Sequence, residues 1–441
     1  MNTTLLSANG LPLEHWQNYL KLAQKGMLRL DQLFAKCNEL QANQQQEQAL
    51  QLYKAYIDNT SQGDQHLALF NYGSLLQAAG DSQAAEKIYK TCLELAPNLH
   101  QASINLGLLL EKQGLHTEAL NRWQQIALLA DDPESDKAVI VFALNHIGRV
   151  HENLKQYDAA ETALERSLSL NPKQPGVIQH WVHIRQKSCK WPVYKPLSNI
   201  TPNEMLMATS PLAMLAMTDD PVQQLLSAYA FVERTYGFKE EWLCKKTYKH
   251  DKLRIGYLSG DLCTHAVGLL MADFLENHDK NKVEIYAFDF SPEDGTQYRT
   301  RLKNAFDHFY TVGHLTDQQV ALLIVENEID VLMDMHGLSS GARPGICAMH
   351  PAPLQGTYLG FIGTTAMPWL DFVVADRQVL PDNLSPYFTE KPLYLDGSFL
   401  PLNKSNEHVA TASREALGLP ADAFVMAAFG NVYKINEGLL G

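Results

Sequence analysis

The sequence predicts an array of paired helices followed by an α/β lobe with a parallel sheet. A glycine-to-alanine spacing recurs between residues 66 and 172, and short apolar runs alternate with helix-length segments from Lys252 onward. Glycine-rich loops follow several of the apolar runs, at the positions where doubly wound folds bind ligands. At 441 residues, the chain exceeds the size of one ordinary domain of about 150 residues.

Three glycines mark the repeat. Gly73, Gly107 and Gly148 each stand twelve residues before an alanine, and a large apolar or aromatic residue follows four positions later. Small residues let two helices cross closely, and the large residue fills the gap beside them. The pattern resembles the tetratricopeptide repeat, whose stacked units form a solenoid with a concave surface for partner proteins; an unrelated helical bundle is the alternative. The alanines and large residues are Ala85, Ala119, Ala160, Tyr89, Trp123 and Leu164.

The composition argues against several kinds of partner. Lysine and arginine total 36 against 49 acidic residues, so the chain as a whole would repel a nucleic acid backbone. The most apolar uncharged run, residues 205–217, has thirteen residues, fewer than the ~20 of a membrane-spanning helix. The six cysteines form no CxxC pair, and the N-terminus lacks a secretory signal, which fits a reducing compartment. We therefore expect a cytoplasmic protein without nucleic acid or membrane partners.

Apolar runs bounded by glycine, proline and aspartate predict the strands of the sheet. Residues 200–245, in contrast, predict short helices punctuated by prolines. The loops after the strands combine glycines, which let backbone amides approach a ligand, with hydroxyls suited to a polyhydroxyl group. The predicted strands lie within 253–261, 283–291, 329–337, 354–359 and 371–381, with a further one at FVMAAFG near the end.

Six stretches, in this order behind the repeats, resemble the bacterial relatives of the protein O-GlcNAc transferase and SPINDLY group of glycosyltransferases. The resemblance implies a two-lobed GT-B fold, of which this chain has the N-terminal Rossmann-like lobe. The stretches are LRIGYLSGDLCTHAVG, IDVLMDMHGLSSGARP, HPAPLQGTYLGFIGTT, LDFVVADRQVLP, YFTEKPLYLDGSFLP and FGNVYKIN. The implied segments are 1–65, helical; 66–190, tetratricopeptide repeats; 191–250, helical linker; 251–410, the Rossmann-like lobe; and 411–441, the start of the second lobe.

The resemblance also implies the reaction. The donor would be UDP-N-acetylglucosamine, the acceptor a serine or threonine hydroxyl of a protein or peptide on the concave repeat surface, and no metal or other cofactor would be needed. Two other interpretations stay open. The chain could be an interaction scaffold with a vestigial sheet, or a SPINDLY-like transferase that uses GDP-fucose.

Two residues of the first loop stand where the group has its reaction centre. The resemblance implies that His265 acts as a base or orients the substrate, and imidazole titrates near neutral pH and can accept a hydroxyl proton. The alternative is that His265 caps the helix that begins nearby. Asp261, four residues earlier, could orient His265 or cap the same helix.

The other candidates also follow from the resemblance. Leu359, Gly360 and Thr364 match the loop that lines the sugar site. Ser339 stands where relatives usually have threonine, and its neighbour Leu338 stands where they usually have histidine or an aromatic residue. That second departure leaves the donor or acceptor preference open.

The resemblance assigns two residues near the end to the nucleotide. Lys434 matches the lysine that contacts the diphosphate, where an ammonium would offset charge on the departing UDP. Asn431 matches a neighbouring amide position. Relatives continue through a second lobe, whereas this chain ends at Gly441. Because a half-cleft cannot exclude water or clamp a dianion, we expect this chain alone to be weakly active or inactive, whether it is a fragment or a natural truncation.

Overall fold

The chain forms two compact units, residues 1–177 and 178–441. No helix in the described part of the chain has the length and apolarity needed to cross a membrane. The finer division into five segments stays a prediction. The computed structural model describes residues 14–60, 63–132, 135–197, 199–238, 241–244, 246–401, 412–427 and 429–440.

The first unit is helical. Helices α4 and α5, α6 and α7, and α8 and α9 pack in pairs, and successive pairs pack on one another. Its helices are α1 (Glu14–Gln24), α2 (Leu30–Ala42), α3 (Gln46–Asn59), α4 (Gln65–Ala78), α5 (Ser82–Leu95), α6 (His100–Lys112), α7 (His116–Ala127), α8 (Lys137–Asn153) and α9 (Tyr157–Leu170).

The helix pairs meet at the glycines of the repeat. A Cβ atom on Gly107 would lie 2.3 Å from Nε1 of Trp123, and one on Gly148 would lie 2.3 Å from Cδ2 of Leu164. The large residue of each unit therefore occupies the space that a side chain would need at the glycine. This confirms the helical hairpins predicted from the spacing. A 3-10 helix, Leu128–Asp131, follows α7 in the longer of the two intervals between the glycines, from Gly107 to Gly148.

The second unit begins with helices that start at prolines. Thr201, Ser210 and Asp220 each accept a backbone N–H of the helix that follows, and a proline occupies its first position. Such capping residues satisfy N–H groups that lack a partner within the helix, and proline has no N–H to leave unsatisfied. The helices are α10 (Pro175–Lys187), which crosses the division between the units, α11 (Pro202–Ala208), α12 (Pro211–Met217), α13 (Pro221–Thr235), α14 (Ala266–Glu276), α15 (Gln297–Ala305), α16 (Asp317–Glu326), α17 (Pro344–Cys347) and α18 (Glu437–Leu440).

Seven parallel strands form the sheet of this unit in the order β3-β2-β1-β4-β5-β6-β7. The order reverses between β1 and β4, and the loops that follow these two strands diverge to opposite faces. Crevices at such a point are the usual ligand sites of open parallel sheets. The strands are β1 (Leu253–Ser259), β2 (Val283–Asp289), β3 (His308–Thr311), β4 (Val331–Asp334), β5 (Leu354–Thr357), β6 (Phe372–Ala375) and β7 (Lys391–Tyr394).

Alternate residues of the strands build an apolar core on each face of the sheet. Leu258 and Leu332 belong to one core, which α13 and α16 help to form. Tyr257 and Met333 belong to the other, together with side chains of α14 and α15. Burial on both faces is the reason that parallel strands read as nearly continuous apolar runs.

Three details differ from the strands expected from sequence. The four-residue strands β3 and β7 were not predicted, because such short runs carry little periodic signal. The strand predicted at FVMAAFG does not form over Phe424–Ala427, where Phe424 is 90% and Met426 85% exposed; residue 428 lies outside the described residues. A strand needs a neighbour to pair its backbone groups.

Candidate active site

The loop that follows β1 carries Asp261 and His265. His265 is the N-cap residue of α14, and its Nδ1 atom lies 3.4 Å from the backbone N–H of Val267. The capping alternative is therefore observed, although the distance is long for a hydrogen bond. The side chain of His265 is 49% exposed. Its Nε2 atom has no hydrogen-bond partner among the described residues.

Asp261 faces two histidines. Its Oδ2 atom lies 3.5 Å from Nδ1 of His265 and 3.7 Å from Nε2 of His336. Since the cap of α14 is His265, the carboxylate of Asp261 is placed to orient that histidine. A proton on Nδ1 of His265 would point toward the carboxylate in place of the long contact with the Val267 N–H. Nε2 would then be able to accept a hydroxyl proton.

His336 lies at the carboxyl end of β4 and was not among the site residues predicted from sequence. Its side chain is buried, and its Nε2 atom accepts a hydrogen bond of 2.8 Å from the backbone N–H of Gly260 at the end of β1. Its Nδ1 atom lies 3.1 Å from Oγ of Ser339. The histidine thus joins the loops on both sides of the point where the strand order reverses. The only sequence signal was its position directly after a predicted strand.

A buried carboxylate shapes the turn that holds His336. Asp334 accepts hydrogen bonds from the backbone N–H groups of His336 at 3.2 Å and Gly337 at 2.7 Å. Burial raises the pKa of Asp334 to about 6, although these two hydrogen bonds oppose the shift. The turn therefore has its backbone donors satisfied inside the protein.

Gly360 brings the loop after β5 against the same turn. A Cβ atom there would lie 1.9 Å from the carbonyl oxygen of Met335 and 3.1 Å from Cα of His336. Leu359 precedes it with a φ of +71°, a left-handed conformation that few side chains adopt without support. Because Gly360 has no side chain, the loop can lie directly against the backbone that follows β4.

Thr364 lies in the same loop, with its side chain turned into the protein. It is buried, and its hydroxyl donates a hydrogen bond of 2.8 Å to Glu390. Glu390 also accepts from the backbone N–H of Thr365 at 2.7 Å, from the Thr365 hydroxyl and from the Thr389 hydroxyl. This network ties the loop to the start of β7.

A second buried network holds the loop of Asp261 and His265 from the side of β2. The backbone N–H of Leu262 donates to Oγ of Ser291 at 2.8 Å, and its carbonyl oxygen accepts from Nη1 of Arg299 at 2.5 Å. Arg299 and Ser291 both bind the carboxylate of Asp289, at 2.6 Å each. Both backbone groups of Leu262 are therefore fixed by a buried ion pair and its hydroxyl partner.

Lys434 and Asn431 make their described contacts with other parts of this unit. They belong to a short turn, Val432–Lys434 with Asn431 as its N-cap. Tyr433 packs its ring 5.6 Å from that of His183 on α10. No hydrogen bond or ion pair of the described residues links Lys434 or Asn431 to Asp261, His265 or His336. The structure thus brings together Asp261, His265, Ser339 and Gly360, with Leu359 beside Gly360, but not the two residues of this turn.

Two cavities of this unit lie elsewhere. One, of about 820 Å³, lies over one face of the sheet and is lined mainly by apolar side chains of β1, β4, β6 and β7. The other, of about 660 Å³, lies at the carboxyl ends of β6 and β7. Among the described residues, no group of three or more histidines, cysteines or acidic residues is arranged to hold a metal ion.

Comparisons with known families match both units. The family model for glycosyl transferase family 41 matches residues 230–406. Two tetratricopeptide repeat models match residues 67–99 and 99–173. The parallel-sheet unit is thus similar to glycosyl transferase family 41 over residues 230–406, and the helical array before it is similar to tetratricopeptide repeats.

Curated relatives carry names consistent with this family. A probable UDP-N-acetylglucosamine–peptide N-acetylglucosaminyltransferase, SEC, from Arabidopsis thaliana is 32% identical over 211 residues, 46% of this chain and 20% of the relative. The Caenorhabditis elegans enzyme of the same activity is 34% identical over 149 residues, 34% of this chain and 13% of the relative. The match to each relative thus spans about a fifth of its length or less.

Among solved structures, the chain matches a mutant O-GlcNAc transferase from Thermobaculum terrenum. It is 23% identical, with a TM-score of 0.49, and the match covers 86% of this chain and 66% of that one.

Proposed function

We propose that this protein transfers N-acetylglucosamine from UDP-N-acetylglucosamine to serine or threonine hydroxyls of other proteins. One observation carries the proposal: within the family 41 region, Asp261 faces Nδ1 of His265 at 3.5 Å while Nε2 of this half-exposed histidine has no partner among the described residues. A half-exposed imidazole paired with a carboxylate is a suitable general base for a hydroxyl. The names of the curated relatives support the choice of donor.

The reaction assigns each group a task. Nε2 of His265 accepts the acceptor hydroxyl proton as the oxygen bonds to the anomeric carbon of the sugar. The bond between that carbon and the phosphate oxygen breaks, and UDP leaves with the electron pair. Lys434 offsets the charge on UDP, with Asn431 beside it. The proposal requires that the turn of Lys434 and Asn431 lies against the diphosphate when the donor is bound.

The sugar side is formed by the loops after β4 and β5. Ser339, Leu359 and Gly360 offer a hydroxyl and backbone groups to the sugar. Thr364 supports that loop from within, because its hydroxyl is bound by Glu390.

In this proposal the repeats bind the acceptor protein. The concave face of a tetratricopeptide array accommodates an extended segment of a partner protein. We place the reaction in the cytoplasm, where a reducing environment suits six cysteines that are all free thiols.

The test is transfer measured with a radiolabelled donor, which detects weak activity. The chain is incubated with labelled UDP-N-acetylglucosamine or GDP-fucose and a mixture of proteins, and label in protein is counted. We expect transfer from UDP-N-acetylglucosamine, abolished in His265→Ala and kept in His314→Ala, which changes an exposed histidine outside the site. Transfer from GDP-fucose alone would contradict the donor, and no transfer from either would contradict the proposal that this chain is active by itself. Added EDTA should leave the rate unchanged, since we propose a reaction without metal.

A further inference from the structure

His336 is a buried, titratable residue that the proposed reaction does not use. It is 2% exposed, and its ring stacks on Phe290 with the centroids 5.4 Å apart. It is close to Asp261 but separated from solvent. Its effect on the site must therefore pass through its neighbours.

The contacts of His336 define where its proton lies. The backbone N–H of Gly260 can only donate, so Nε2 of His336 at 2.8 Å must carry a lone pair. A neutral ring then carries its proton on Nδ1, which lies 3.1 Å from Oγ of Ser339. An added proton on Nε2 would place two donors against each other. Burial also favours the neutral ring, because it lowers the pKa of His336.

This protonation state matters for Asp261. Its Oδ2 atom lies 3.7 Å from Nε2 of His336 and 3.5 Å from Nδ1 of His265. An imidazolium at His336 would attract the carboxylate and compete with His265 for it. A neutral His336 with a lone pair on Nε2 offers Asp261 no proton, so of the two histidines His265 is the one that can donate to this carboxylate.

We propose that His336 is a positioning residue that, held by Gly260 as the neutral Nδ1–H form, leaves the carboxylate of Asp261 to His265. His265 then gives up its long contact with the Val267 N–H, carries its proton on Nδ1 toward Asp261, and presents an unprotonated Nε2 to the acceptor hydroxyl. This inference rests on the proposed function for its purpose, but the protonation states can be measured without any turnover.

The first measurement is NMR on the full chain with ¹⁵N-labelled histidine. Two-bond correlations between ring nitrogens and carbon-bound ring protons distinguish the two neutral forms, and His336→Asn and His265→Asn assign the signals. We expect the proton on Nδ1 in both histidines at neutral pH. A proton on Nε2 of His336, or a charged His336, would overturn the inference, and the protonation state itself is read on the wild-type chain.

The second measurement compares two substitutions. In His336→Phe the Gly260 N–H loses its acceptor and becomes free to donate to the nearby carboxylate of Asp261. Because this N–H then competes with His265 for Asp261, we expect the His265 signals to shift toward the Nε2–H form. Asparagine can accept from Gly260 and donate to Ser339, so His336→Asn should keep the wild-type signals, as should His314→Asn. His265 signals that do not move in His336→Phe would overturn the inference.

Transfer kinetics separate this role from the proposed function. His336→Phe should lower kcat by about tenfold with KM for UDP-N-acetylglucosamine nearly unchanged, and His336→Asn should restore most of kcat. An unchanged kcat in His336→Phe would argue against a positioning role. Absence of transfer in the wild type would contradict the proposed function alone, because the NMR result still decides the state of His336.

Discussion

The hydroxyl of Thr364 donates a hydrogen bond of 2.8 Å to the carboxylate of Glu390. The two residues are 26 positions apart and both are buried. This contact gives Thr364 a supporting place under the loop of Leu359 and Gly360. It also makes Glu390 the acceptor on which the inner side of that loop depends.

We therefore expect Glu390→Ala to destabilise the second unit by roughly 2–4 kcal/mol, since several buried donors lose their acceptor. Glu390→Gln should cost less, because its amide oxygen can still accept. The free energy of unfolding in urea measures both. Glu326→Ala, at an exposed position of α16, is the control and should change stability by less than about 0.5 kcal/mol. Equal effects of Glu390→Ala and Glu326→Ala would refute the network's importance.

Gly360 tests the close approach of the loops after β4 and β5. A methyl group there would collide with the carbonyl of Met335, and backbone cannot move aside as a flexible side chain can. We expect Gly360→Ala to lower the stability of the second unit by about 1–3 kcal/mol or more and to reduce transfer. At Gly313 a Cβ atom would meet only ordinary contacts, the nearest at 3.7 Å, so Gly313→Ala is the matched control. The idea fails if the two variants unfold at the same urea concentration.

The repeat array offers a similar comparison. Gly107→Ala places a methyl group against the ring of Trp123, which is itself buried. We expect a loss of about 1–3 kcal/mol in the stability of the first unit. Gly176→Ala, where a Cβ atom meets nothing within 4 Å, should be neutral or slightly stabilising. Chemical unfolding followed by tryptophan fluorescence provides the measurement, and an unaffected Gly107→Ala would contradict the packing.

His250 predicts a pH dependence of stability. Its Nδ1 atom lies 2.9 Å from Asp330 and its Nε2 atom 3.2 Å from Glu328. The hydrogen bond to Asp330, with a smaller share from Glu328, raises the pKa of His250 above its ordinary 6.5. A raised pKa stabilises the fold fully below 6.5, and this contribution disappears as the pH rises through the folded value. The pKa of Glu328 is lowered by its bond to His250, so its share is lost on acidification below its ordinary 4.5.

The difference in unfolding free energy between wild type and His250→Asn should therefore be largest between about pH 4.5 and 6.5 and should shrink toward pH 9. Urea unfolding across this range measures it. His314→Asn, at an exposed position, should show no such trend. A difference that stays constant or grows with pH would rule out the ion pair as its source.

Local patterns were sufficient for much of the fold. The spacing of Gly73, Gly107 and Gly148 predicted the helical hairpins, because the contact between each glycine and its large partner is set within one unit of sequence. Apolar runs predicted five of the seven strands, since burial on both faces demands continuous apolar sequence. The strands β3 and β7 are too short to carry that signal.

The sequence by itself determined the classes of the two units and the motifs that carry Asp261, His265 and Gly360. Only the tertiary structure decided that His336 joins these loops and that Thr364 turns inward to Glu390. The reason is physical: Gly260 and His336 are 76 residues apart. They become hydrogen-bond partners because β1 and β4 are neighbours in the sheet, and that pairing depends on the packing of the whole lobe.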